Sequence, residues 1–161
     1  MSTYSACEAA LLAHIRAYAG GAVFTAANAT RGDFRALDAA GADVACVLVQ
    51  AAPSACGDNL SGRGAHGQRQ QQHTIAAVLA RKRGTGDGGD GAGVAALHDL
   101  ADDLIAWLDS APRLNGVPVV RRAEVVSMTE PVVRRDSPHV ILTLRIVVRT
   151  STTPALIEGA S

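Results

Sequence analysis

Aromatic residues are scarce in this chain of 161 residues, which has one Trp, two Tyr and two Phe. Its core must therefore be filled by Ala, Val, Leu and Ile, and it has little with which to stack the bases of a single-stranded nucleic acid. Lysine is nearly missing: Lys82 is the only Lys among 15 basic residues, the rest being Arg, a bias expected of a GC-rich genome. Neither sign of charge is in excess, because 15 acidic residues offset the basic ones. Bulk charge thus gives no sign of a nucleic-acid or membrane binder. The three cysteines, Cys7, Cys46 and Cys56, are odd in number and irregularly spaced, which argues against a disulfide framework. Cys46 lies in an apolar run and reads as a small buried hydrophobe. No apolar run reaches the ~18 residues of a membrane span. Residues 1–8 lack a basic region, so no export signal is expected and synthesis is expected in the cytoplasm.

Hydrophobic residues make up 48% of the chain and charged residues 19%, a globular balance rather than a disordered one. Residues 5–19 read as a helix: Ser5 and Glu8 have capping-box spacing, Leu11, Leu12, Ile15, Tyr18 and Ala19 form an apolar stripe, and Gly20 and Gly21 stop it. A short strand is expected over 23–27 and a loop over 28–43. The β-branched run 44–50 suits an interior strand, with 73–83 as its hairpin partner across a long loop at 53–72. Residues 84–93 are a glycine-rich linker. The clearest helix is 94–110, with Val94, Leu97, Ala101, Leu104, Ile105 and Leu108 on one side and His98, Asp99, Asp102, Asp103 and Asp109 on the other. Strands follow over 117–128 and 140–149. In the latter Val140, Leu142, Leu144, Ile146 and Val148 alternate strictly, while Thr143, Arg145 and Arg149 point the other way.

Strands and helices fall in separate runs. The expected fold is α+β, an antiparallel (mixed) β-sheet of about four to five strands with two main helices packed on one face. Residues 1–150 form its single domain and 151–161 a C-terminal tail.

Motifs that carry chemistry are weak. Gly62, Gly64 and Gly67 match G-x-G-x-x-G but precede Gln-rich sequence instead of a helix. Gly84, Gly86 and Gly89 match it between a strand and a helix. There Asp87 and Asp90 would repel a pyrophosphate, and the βαβ order is absent. Asp99 and Asp103 share a helix face at i, i+4, which reads as a solvated or partner-facing surface rather than a metal set. His14, His66, His73, His98 and His139 have no zinc-type spacing. Arg31-Gly32-Asp33 and the sequons at Asn28 and Asn59 read as chance. No residue is assigned to catalysis, a cofactor or a metal. Candidate assembly residues are the acids Asp99, Asp102 and Asp103 and the basic clusters Arg81 and Arg83, Arg121 and Arg122, and Arg134 and Arg135.

The layout resembles the tail terminator family of long-tailed bacteriophages. It is similar in its short length and N-terminal helix near 9–18, and in an apolar strand ending at Gln50 before a long loop. A second strand opening with His73, the helix 97–108 leading into Pro112-Arg113-Leu114-Asn115-Gly116, and a closing strand pair ending at 142–148 complete it. The resemblance covers residues 5–150 and implies a structural virion protein with an α+β sandwich fold, no catalytic residues and no cofactor. It further implies a homo-oligomeric ring, typically hexameric, that caps the tail tube, ends its growth and docks the head-side connector, DNA passing through the lumen without sequence-specific binding. The location implied is the neck end of the virion tail, with no membrane partner. Alternatives are another head-to-tail joining or tail-completion protein, a small cytosolic binding or dimerisation module unrelated to phage, and an enzyme or nucleotide binder using Gly84 to Gly89.

Overall fold

A computed structural model describes residues 2–32, 43–56, 69–83, 89–133 and 138–152, with the side chains of residues 56, 89 and 90 left out. Helix α1 spans Thr3–Arg16. Its N-cap is Ser2, whose Oγ accepts from the Ser5 N–H at 3.1 Å, so the cap falls three residues earlier than the Ser5 expected, with the same chemistry. Cys7, Leu11, Leu12 and Ile15 form its buried stripe. A 3-10 turn over Tyr18–Gly21 follows, with Ala19, Gly20 and Gly21 all at positive φ (52°, 68° and 84°). The glycine pair supplies the left-handed exit expected of it.

No strand forms over 23–27. The first strand is β1, Ala29–Arg31, and the Asn28 side chain explains the shift. Its Oδ1 accepts from the Thr25 N–H at 2.6 Å, and its Nδ2 donates to the carbonyls of Val23 and Val44 at 2.9 and 3.1 Å. One amide thus closes the turn and ties it to the next strand. That strand, β2, runs Val44–Cys56 and pairs parallel with β1.

Strand β3, Arg69–Lys82, is antiparallel to β2. Both are longer than expected because their polar ends, 53–56 and 69–72, are paired: Ala55 lies opposite Gln72 and Cys56 opposite Gln71. Of the loop expected over 53–72, residues 57–68 lie outside the described residues. The register shifts on β2 between Gln50 and Ala55, around Pro53, which has no N–H to give the ladder.

Helix α2, Gly89–Ser110, takes in the end of the expected linker. Residues 84–88, and with them most of the second glycine motif, lie outside the described residues. Strands β4 (Val120–Met128), β5 (Val132–Val133) and β6 (His139–Thr152) complete the chain. The tail expected at 151–161 gives its first two residues to β6.

The sheet has six strands, ordered β1-β2-β3-β6-β4, with β5 also on β6. All pairs are antiparallel except β1–β2, so the fold is α+β with a mixed sheet. β3 and β6 pair from Arg69–Thr152 through Lys82–His139 without a slip. Both helices pack on one face. Cys7, Leu11 and Ile15 of α1 join Leu97, Ala101, Leu104 and Leu108 of α2 over Leu48, Ile75, Leu79, Leu142, Leu144 and Ile146. Alternation sends Ala45, Val47, Val78, Ala80 and Ile141 to the opposite face, where they form a second, smaller buried cluster.

Candidate interaction surfaces

The helix pair is locked by one reciprocal contact. The Trp107 indole N–H donates to the His14 carbonyl at 2.8 Å, and His14 Nε2 lies 3.1 Å from the Trp107 carbonyl. A carbonyl only accepts, so Nε2 carries the proton and Nδ1 is left to accept from the Asn115 amide at 3.2 Å. The two rings stack at 4.8 Å. Sequence reading found no role for His14; the fold makes it the joint of α1, α2 and the turn at 113–116. There Leu114, Asn115 and Gly116 all take positive φ.

On the outer side of α2, Asp99, Asp102, Asp103 and Asp109 are exposed, as the helical period requires. They differ in partners. Tyr18 donates its hydroxyl to Asp103 Oδ2 at 3.2 Å, so Asp103 fastens the 3-10 turn to α2. Asp99, Asp102 and Asp109 make no ion pair among the described residues, and Asp99 and Asp102 lie one helical turn apart as an available acidic surface.

The expected basic clusters do not form one patch. Arg81 and Arg83 sit where β3 ends, beside the starts of β2 and β6: Arg81 is opposite Val44 and Val140, and the Arg83 N–H donates to the Pro138 carbonyl. Arg121 and Arg122 sit at the other end of the sheet, since Val120 pairs with Thr150 and Arg69 with Thr152. Roughly ten residues at ~3.3 Å each separate the two ends. Arg134 and Arg135 lie outside the described residues.

At the Arg121–Arg122 end, register lines up one residue from each of four strands: Ala55, Gln72, Arg149 and Arg122. A cavity of about 380 Å³ opens there, lined also by Gln70, Arg121 and Thr150. Glu124 bridges the two facing guanidiniums, 3.1 Å from Arg122 and 3.3 Å from Arg149. Arg149 was placed on the correct face by alternation, but its neighbours are visible only once the register is known.

β4 is one of the two outer strands of the sheet, and no strand pairs with its far side among the described residues. Its start is held by the Ala123 N–H donating to the Pro112 carbonyl at 2.7 Å. Its end is apolar and open: Val126 is 49% exposed, Met128 40%, and, just beyond, Val132 54% and Val133 38%. These are the exposed large hydrophobic residues among those described, and all four fall within one stretch of eight positions.

Two polar sites lie inward. His73 is buried beneath the Tyr4 ring (5.8 Å, edge-on), with Nδ1 2.6 Å from Ser54 Oγ and no partner for Nε2. Burial lowers its pKa below the usual histidine value. A Ser-His contact invites comparison with a nucleophilic pair, but among the described residues no carboxylate orients this imidazole, and burial opposes the charged form that a base must take. Glu8 accepts from the Tyr4 hydroxyl at 3.1 Å and pairs with Arg31 at 3.5 Å. Burial, then the Glu8 charge and its hydrogen bond, push the Tyr4 phenol up to about 12. Arg31 of the adhesion-like tripeptide is therefore engaged within the fold, while Asp33 lies outside the described residues. Among those residues, no three His, Cys, Asp or Glu side chains group as a metal set, and no helix is long and apolar enough to cross a membrane.

No protein-family model matches the chain, and no curated protein matches it significantly.

Proposed function

We propose that this chain is a structural assembly subunit, a tail terminator whose copies form a ring, hexameric in the family it resembles. The ring caps the tail tube, ends its polymerisation and joins it to the head-side connector at the neck of the virion. The role requires no catalysis and no cofactor. The observation that carries the assembly reading is the open edge of β4 and the adjoining β5, where Val126, Met128, Val132 and Val133 are exposed within eight positions. An unpaired, apolar strand edge is a template for pairing with another chain unless something covers it. A ring needs such a patch to meet a different surface on the next copy. The acidic surface of α2 at Asp99 and Asp102 and the basic residues at the sheet ends provide charge to set that register.

Light scattering of the purified chain over a concentration series, with and without tail tubes, tests this reading. A ring, or a monomer that forms a ring on tubes, is expected. Val126→Asp with Val132→Asp should reduce association while leaving the circular dichroism spectrum unchanged. A fixed small oligomer that ignores tubes and survives both substitutions would instead identify a generic dimerisation module.

A further inference from the structure

We propose that the cavity at the Arg121–Arg122 end of the sheet is a binding site for a phosphate group. Three features carry this, and none depends on ring assembly. First, Arg122 and Arg149 are direct cross-strand partners. Like charges placed directly opposite on a sheet repel, so the arrangement needs an anion. Second, among the described residues Glu124 alone bridges both guanidiniums, at 3.1 and 3.3 Å, so these three side chains together keep a net positive charge. Arg121 adds a third guanidinium to the lining.

Third, Ala55 and Thr150 apart, the lining beside the arginines carries amide side chains. Gln72 stands in the same cross-strand row as Arg149, and Gln70, two residues earlier on the same strand face, also lines the cavity. Guanidinium forks and amide N–H groups are the donors that tetrahedral oxyanions accept from best. A phosphate offers more acceptor oxygens than the carboxylate already present, and a cavity of about 380 Å³ is within the size range of small-ligand sites. The residues come from four registered strands rather than a loop, so the donors are held by the sheet itself.

The phosphate could belong to a free ion or to a nucleic-acid backbone, and titration calorimetry of the full chain at constant ionic strength separates the two. Inorganic phosphate is one titrant and a short single-stranded oligonucleotide the other. The expected result is saturable binding of inorganic phosphate that weakens about tenfold or more in Arg122→Ala and Arg149→Ala. Both sites are largely exposed (side chains 63% and 55%), so an unchanged unfolding midpoint is expected. Arg149→Lys, which keeps the charge but loses the fork, should fall between. Binding of the oligonucleotide alone, with the same loss in the variants, supports the site and assigns the phosphate to a backbone. Absence of binding to both titrants, or binding unchanged in both alanine variants, overturns the proposal.

Discussion

Trp107 and His14 each bind the other's backbone: indole N–H to the His14 carbonyl at 2.8 Å, imidazole Nε2 to the Trp107 carbonyl at 3.1 Å. The two residues are 93 positions apart and join the first helix to the second. Trp107 is the only Trp, so the joint carries its own fluorescent probe. Trp107→Phe keeps the ring but leaves a half-buried carbonyl without its donor, at a cost of about 1–2 kcal/mol. Because that variant lacks the fluorophore, denaturant unfolding followed by circular dichroism measures the loss, and a double cycle with His14→Ala should show non-additivity of at least ~0.5 kcal/mol.

His73 makes stability depend on pH. Its folded pKa is lowered by burial, so the unfolded chain takes up the proton first as pH falls. Its contribution is complete above the unfolded value of about 6.5 and diminishes as pH falls below that toward the folded pKa. Urea midpoints at about pH 7.5 and 5.5, chosen around that value, should show wild type losing stability toward the lower pH. His73→Gln should lose less. Equal losses would show that His73 does not titrate in that window.

Asp99 and Asp102 should matter to assembly and not to folding. Both are exposed, and neither has an ion-pair partner among the described residues, whereas Asp103 is bonded to Tyr18. Asp99→Lys with Asp102→Lys should change the unfolding free energy by no more than ~0.5 kcal/mol while weakening ring formation in sedimentation. Unchanged ring formation would remove the acidic surface from the interface.

The thiols should be silent in the native state. Burial pushes Cys7 up to about 11 and Cys46 up to about 12, and both are free and enclosed. A thiol-specific chromophore at about pH 8, below the ordinary thiol pKa, should label at most one of the three cysteines in the folded chain and all three in guanidinium chloride.

What could be read from residues alone followed from contrast between faces. β6 was legible because Val140, Leu142, Leu144, Ile146 and Val148 face the helices while Arg145 and Arg149 face away. The second helix was legible because its acids and its Leu residues fall on opposite sides. The start of β3 was not, because Gln70, Gln71 and Gln72 have the composition of a loop yet all three pair with β6, and Gln71 and Gln72 also with β2. β1 and β5, at three and two residues, are too short to show a period. Consecutive Arg residues looked like clusters, but strand geometry assigned their surroundings: Arg81 is half-buried on the helix side, and neighbouring Lys82 is exposed on the other. The Arg122–Arg149 row and the open β4 edge arise from register and strand order, which no local pattern encodes.

The most direct test of the terminator role is tail-tube polymerisation followed by electron microscopy, with the purified chain added during growth. The account predicts shorter tubes, each stopped at one end by a ring of added mass, and loss of the effect with Val126→Asp and Val132→Asp. An unchanged length distribution with bare tube ends, from a correctly folded chain, would contradict it.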